Sequence, residues 1–389
     1  MTRELYYWLL DIRQHWSVRQ ERQALRRPGC GVDYTRDRHT VQNIVSRLHP
    51  PRMRLQVSEI VAETPTSRTL RFRRLDGELP PFRPGQYVNL FVDVDGVPTS
   101  RPYSIASPPG QPFLEITVRD KPGGFVAPYL LHEIAVGDEL ESTGPAGHFY
   151  HEPLIDGDDL VFLAGGSGIT PFMSIIRDAI QGERPLRMHL IYGCRTPADV
   201  IYGDELVLLA ETNPNLVYTL VISEPPPDYG GLTGLLDAAL IQSQVSDVEG
   251  KTFYLCGPNV MTDYCQAALQ ELGVPRHRIR RELYGPPADV TREPGWPARL
   301  PADTLFAVQV EGHRTIRALA GEPLLNALER YELVVPSVCR SGECSACRIR
   351  LLSGRVYMPP HTGLREADRA HNYIHACASY PLTDLVIRL

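Results

Sequence analysis

Four of the eight cysteines in this 389-residue chain, Cys339, Cys344, Cys347 and Cys377, crowd toward its C-terminus. Eight thiols are too few for a disulfide scaffold in so long a chain, and clustering of this kind points to metal. The segment Cys339-Arg340-Ser341-Gly342-Glu343-Cys344-Ser345-Ala346-Cys347 has the C-x4-C-x2-C spacing that wraps a plant-type 2Fe–2S cluster, with Cys377 as the distant fourth ligand. Small residues suit the loop, because its backbone must bring N–H groups toward the sulfurs while three thiolates converge. A four-cysteine zinc site is the competing reading. Such sites usually carry two C-x2-C knuckles, and the second pair is missing here.

Further groups have residue types suited to holding phosphate. Lys121-Pro122-Gly123-Gly124-Phe125-Val126 offers glycines followed by backbone amides, which can cradle a pyrophosphate. Gly165-Gly166-Ser167-Gly168-Ile169-Thr170-Pro171 stands between a buried strand and a helix, where proline suits the first helical turn and free N–H groups attract phosphate. A glycine string alone is a weak signal, and the strand-turn-helix context strengthens it. Leu255-Cys256-Gly257-Pro258 follows another apolar strand, with a small buried cysteine as the plain alternative for Cys256. Arg101-Pro102-Tyr103-Ser104 lies just after a predicted strand, and a surface arginine beside a core tyrosine is the plain alternative there.

The elements that must position these residues change character along the chain. Residues 1–50 read as a helical N-terminal extension, rich in arginine and with an apolar cluster around Tyr6, Tyr7, Trp8 and Trp16. Residues 51–152 carry short, partly alternating runs punctuated by proline and glycine, such as Tyr87-Val88-Asn89-Leu90-Phe91-Val92, the pattern of an antiparallel β-barrel. Over residues 153–285 apolar strands alternate with helical stretches, which predicts an α/β parallel sheet covered on both faces. Residues 286–303 are too rich in proline for an element interior and read as a semi-rigid linker to a last module, 304–389. Hydrophobic residues make up 43% and charged residues 22%, the balance of a globular protein, and a net charge of -6 leaves no footprint for nucleic acid. No stretch reaches the ~20 apolar residues that cross a bilayer, and the N-terminus lacks a signal-peptide pattern, so a cytoplasmic location is expected.

The ordered set Arg101-Pro102-Tyr103-Ser104, Lys121–Val126 and Gly144-Pro145-Ala146-Gly147-His148-Phe149 resembles the flavin site of the ferredoxin–NADP reductase superfamily. Gly165–Pro171 is similar to that superfamily's nicotinamide loop, and Cys256-Gly257-Pro258 to its C-G-P element. Residues 304–389, including Pro323-Leu324-Leu325-Asn326-Ala327-Leu328, resemble a plant-type ferredoxin domain of β-grasp type. The likeness runs from about residue 53 to the C-terminus, in the order flavin, nicotinamide, ferredoxin that marks oxygenase-type reductases.

The resemblance implies roles. Arg101 pairs with the flavin phosphate, Tyr103 packs on the isoalloxazine and Ser104 bonds its N5 edge, while Gly123, Gly124, Phe125 and Val126 present amides. Ala127 departs from relatives that place Ser or Thr there to contact phosphate, so only backbone donors remain. Gly166, Ser167, Gly168, Thr170 and Pro171 form the nucleotide loop, and Cys256, with Gly257 and Pro258, positions nicotinamide carbon 4. Glu282 and Tyr284 lie near the flavin. FAD is favoured over FMN on residues 144–149. NADH is favoured over NADPH because Ser223-Glu224 puts a carboxylate where NADPH-using relatives resemble Ser-Arg; Arg195 is the opposing signal. The expected activity is an NADH-dependent reductase passing single electrons to a partner protein, an oxygenase component. The alternatives are a free-standing diaphorase and an electron-transfer subunit held permanently in a complex by residues 1–50. Those residues either dock the acceptor or pack as a helix on the flavin module. Deleting them tests this, weakened acceptor coupling with normal dye reduction being the docking outcome.

Overall fold

A computed structural model describes Trp16 and residues 52–389, apart from Pro122, Ser246, Ala288 and His361. The chain divides into a unit of residues 1–50 and a unit of residues 51–389. The helical extension expected over residues 1–50 lies, Trp16 excepted, outside the described residues.

Strands β1 (Met53–Thr64), β2 (Ser67–Arg74), β3 (Tyr87–Val94), β4 (Val97–Ser104), β5 (Leu114–Arg119) and β6 (Glu139–Ser142) form an antiparallel sheet in the order β4-β3-β6-β1-β2-β5. A bridge between Ile105 and Ile116 draws its two ends together, curling the sheet into a barrel around Leu55, Leu70, Phe72, Leu90 and Ile116. Arg101–Ser104 follow β3, as the sequence suggests, and themselves form the end of a further strand, β4. Pro98 and Pro102 argue against an interior strand, but β4 is an end strand, where a missing N–H breaks no ladder.

The second sheet contains β7 (Asp159–Gly165), β8 (Arg187–Cys194), β9 (Leu216–Ile222), β10 (Leu232–Thr233), β11 (Thr252–Cys256) and β12 (Ile279–Glu282). All are parallel, in the order β10-β9-β8-β7-β11-β12. Its strands are apolar on both faces because both are covered. Leu160, Phe162 and Ala164 pack with Phe172 and Ile176 of α1 (Thr170–Gln181) and Leu206 of α2 (Gly203–Thr212). Val161 and Leu163 pack with Ile241 of α3 (Ala238–Gln244) and Leu269 of α4 (Asn259–Glu271). Strand order reverses between β7 and β11, so the crevice beyond their C-terminal ends is where a nucleotide binds in such a sheet.

The third module has a mixed sheet of β13 (Leu305–Val310), β14 (Thr315–Leu319), β15 (Arg348–Ser353), β17 (Tyr373–His375) and β19 (Leu385–Arg388). A small ladder joins β16 (Val356–Tyr357) to β18 (Tyr380–Pro381), and α5 (Leu324–Arg330) packs Leu324, Leu325, Ala327 and Leu328 into the core. Part of the proline-rich segment is packed rather than extended. Val290 is buried, and the Trp296 ring meets Tyr357 and Tyr380 edge-on, with centroids 5.4 and 6.3 Å away. The prolines stop regular structure, while the indole has two tyrosines to bury against.

Barrel and parallel sheet are pinned through Arg177 of α1. Its guanidinium donates to Glu115 of β5 at 2.9 Å and grips both oxygens of Glu205 at 2.7 and 2.6 Å. The Tyr202 hydroxyl, buried at a positive φ of 59°, hydrogen-bonds Thr69 and Thr117 of the barrel.

Candidate functional site

Alternation along β4 puts Thr99, Arg101 and Tyr103 on one face of the barrel edge. Arg101 Nη1 donates to Thr99 Oγ1 and to the Ser100 carbonyl, both at 2.7 Å. Among the described residues no carboxylate forms a salt bridge with it. Burial, then the neighbouring Arg340 cation, pulls it down to about 10. A largely buried guanidinium without a counter-anion fits a phosphate. Nearby, Gly123 takes a φ of +71°, and a Cβ on Gly124 would sit 2.9 Å from the Lys121 carbonyl oxygen, so the turn needs both glycines. Val126 is buried in the barrel core and Phe125 is half-exposed, so Val126 can offer a ligand only its backbone.

At the end of β7, Gly166 (φ +52°) opens a tight turn that runs through Ile169 into α1, with Thr170 and Pro171 in the first helical turn. A Cβ on Gly168 would lie 2.1 Å from the Cys256 carbonyl oxygen at the end of β11. Backbone cannot retreat cheaply. Gly168→Ala is therefore expected to cost on the order of 1–3 kcal/mol, read as a lower denaturation midpoint, and to weaken nucleotide binding. Gly257 closes on Gly165 in the same crevice. The tips of β8 and β9 run side by side, Ser223 N donating to Cys194 O at 2.9 Å and Glu224 N to Arg195 O at 2.8 Å. The exposed Glu224 and Arg195 therefore flank one spot at the sheet's C-terminal edge.

Ser104 Oγ and Tyr284 Oη are 2.9 Å apart, and Tyr284 also hydrogen-bonds the Cys256 thiol. Barrel and nucleotide module thus meet through one tyrosine. Burial drives the Cys256 thiol and the Glu282 carboxyl well above their ordinary ranges; for Glu282, Glu343 and Cys339 add to the effect.

The four cysteines converge. Cys339 hydrogen-bonds with Cys344 and Cys377, and Cys347 with Cys377. The amides of Ser341 and Cys344 donate to Cys339 Sγ at 3.4 Å, and Cys377 N to Cys347 Sγ at 3.5 Å. Four converging sulfurs, with backbone amides aimed at those of Cys339 and Cys347, fit a 2Fe–2S cluster. Tyr87, the β3 ladder partner of Ser104, is pushed up chiefly by burial, and Asn89 Nδ2 on the same strand donates to Ser337 O at 2.8 Å, so the segment leading into the cluster loop packs on the barrel.

Three family models match in order: an oxidoreductase FAD-binding domain over residues 54–151, an oxidoreductase NAD-binding domain over 162–267, and a 2Fe–2S cluster binding domain over 308–382. The chain is 31% identical to the glycine betaine monooxygenase reductase subunit of Pseudomonas aeruginosa, over 85% of this chain and 93% of that one. The corresponding subunit of Chromohalobacter salexigens is 30% identical over the same shares. The chain belongs to this family of FAD- and 2Fe–2S-containing reductases. Its fold also follows phthalate dioxygenase reductase, with a TM-score of 0.65 at 21% identity over 87% of this chain and 98% of that one. The 2Fe–2S match displaces the zinc reading of the cysteines.

Two residues of the reductase escape the sequence motifs. Arg119, at the end of β5, lies over the nucleotide loop: a Cβ on Gly166 would meet its Nη1 at 2.5 Å, and its Nη2 donates to Asp199 at 2.5 Å. Arg340, inside the cluster loop, reaches into the barrel and donates to Thr99 Oγ1 at 3.1 Å. No spacing rule reveals either contact, because each joins positions that come together only when two modules dock.

Proposed function

We propose that the reductase takes hydride from NADH onto FAD and delivers single electrons through its 2Fe–2S cluster to an oxygenase component in the cytoplasm. The carrying observation is the junction at Ser104. On one side it meets Tyr284 of the nucleotide module, and on the other the same sheet of the barrel meets the ferredoxin module, Asn89 Nδ2 donating to Ser337 O at 2.8 Å two residues before Cys339. Related chains described as oxygenase reductase subunits support the acceptor class. No described helix is long and apolar enough to cross a membrane.

When bound, the cofactors supply the two-electron to one-electron conversion, and the protein sets distance and environment. Arg101 and the amides after Gly124 hold flavin phosphate. Tyr103 would pack on the flavin ring, and the Ser104 hydroxyl would supply a hydrogen bond to its edge. The Gly166–Pro171 turn, with Arg119 above it, takes the nucleotide pyrophosphate. Tyr284 covers the space between Ser104 and Cys256 and keeps water from it, and Cys256 sits at the nicotinamide position with its thiol protonated. Burial of Glu282 favours its neutral form and so weakens negative charge beside the electron path.

Purified protein is expected to contain iron and acid-labile sulfide in equal amounts and one flavin per chain, and NADH is expected to bleach both chromophores. Zinc in place of iron, or a flavin that NADH leaves oxidised, would sink the reading. One relative, the NADH oxidoreductase HCR of Escherichia coli, is not described as an oxygenase subunit and keeps a second reading open: a reductase for another redox protein. Copurification of the partner separates the two.

A further inference from the structure

The seam between the barrel and the ferredoxin module is polar, buried and unbalanced in charge. α5 and the cluster loop cover end strand β4: Asn89 Nδ2 donates to Ser337 O at 2.8 Å, and Thr99 Oγ1 to Glu329 Oε2 at 3.0 Å. The Thr99 hydroxyl also accepts from Arg101 Nη1 at 2.7 Å and from Arg340 Nη2 at 3.1 Å, so cations from two modules converge on one oxygen. Glu329 pairs with Arg340, whose side chain is only 5% exposed and whose Nε has no partner. Two guanidinium groups therefore share one carboxylate, Glu329 being the only carboxylate among the described residues whose charge acts on Arg101.

A desolvated excess cation is costly unless an anion joins it. On the reading that the barrel holds flavin through Arg101, that anion is the flavin's phosphate. We infer that Arg340, from the cluster loop, is the second cation of the flavin-phosphate site, so that this site is built jointly by the barrel and the ferredoxin module. Arg340 has two parts: the charge that helps hold the cofactor also seats the cluster loop on β4. Because binding and seating share these contacts, each strengthens the other. Flavin uptake stabilises the docked ferredoxin module, and a docked module tightens flavin binding.

The test uses the full chain freed of flavin and titrated with FAD and, separately, with riboflavin, which has the same ring but no phosphate. Arg340→Gln is expected to raise the FAD dissociation constant about 10- to 100-fold, the range for one hydrogen bond to a charged group. The riboflavin constant should stay that of the parent. Arg340→Lys, keeping the charge, should recover part of the loss. Equal weakening for FAD and riboflavin would show that Arg340 only shapes the fold, and unchanged FAD binding would show that it does not reach the phosphate; either overturns the inference. If Arg340→Gln loses its cluster or its fold, Thr99→Val, on the barrel side, carries the test. It should weaken FAD selectively, and an unchanged FAD constant again rejects the joint site. A parent chain that binds neither ligand would instead remove the flavin reading itself.

Discussion

Cys344→Ser is expected to abolish the visible absorbance of the cluster and reduce electron delivery to a one-electron protein acceptor to background, while NADH still bleaches the flavin. Outer-shell changes at metal sites already cost about 10- to 100-fold in affinity or activity, so loss of a direct ligand should exceed that. Cys344 is the most informative of the four because it is exposed, whereas Cys339, Cys347 and Cys377 are buried. A serine there disturbs the core least, and its effect reports on the cluster. Hydride transfer should survive because Ser104, Tyr284 and Cys256 make their contacts without the cluster loop. Anaerobic stopped-flow mixing with NADH separates the two stages. If flavin reduction fails together with the cluster even with FAD kept saturating, as the share of Arg340 in the flavin site requires, the hydride site depends on the ferredoxin module, and the picture of separable stages along one path is wrong.

Legibility in the sequence follows how local each feature is. Three cluster ligands lie within one short loop, and their spacing is enough to read the chemistry; Cys377, from the turn after β17, is distant but repeats the same pattern. The parallel strands are equally plain, since burial on both faces turns each into an apolar run such as Leu160–Ala164. Strand β4 is harder. Its two prolines signal a loop by every local rule, and only its place at the end of the sheet makes them harmless. The proline-rich segment misleads in the same direction, because Trp296 packs on tyrosines more than sixty residues away. Arg177, Arg119 and Arg340 look like surface cations in sequence. Their partners come from other modules, and only folding brings Glu115, the Gly166 turn and Thr99 to them.

Nucleotide choice is the second large effect expected, and it turns on Glu224. The residue is exposed at the end of β9, its backbone bonded to Arg195 at the end of β8, on the C-terminal edge of the parallel sheet where the proposed reading puts the adenosine ribose. A carboxylate there accepts hydrogen bonds from the ribose hydroxyls and repels a 2'-phosphate. Arg195 beside it offers a positive charge that would tolerate the phosphate, so the pair sets up a direct contest. Glu224 is expected to win, with NADH giving the higher kcat/KM in the parent protein. Glu224→Arg reverses the sign of the charge and adds a planar donor able to grip the phosphate in bidentate fashion. A hydrogen bond to a charged group contributes about 1.5–3 kcal/mol, so NADPH efficiency should rise about 10- to 150-fold. NADH efficiency should fall as the ribose loses its acceptor. The change should lie in KM, since Glu224 is on the β9 tip and the hydride contacts of Ser104, Tyr284 and Cys256 are made elsewhere. Steady-state kinetics with both nucleotides decide the matter. A parent enzyme that prefers NADPH would give the contest to Arg195, and a variant with neither efficiency changed would mean that the Glu224 side chain does not face the ribose.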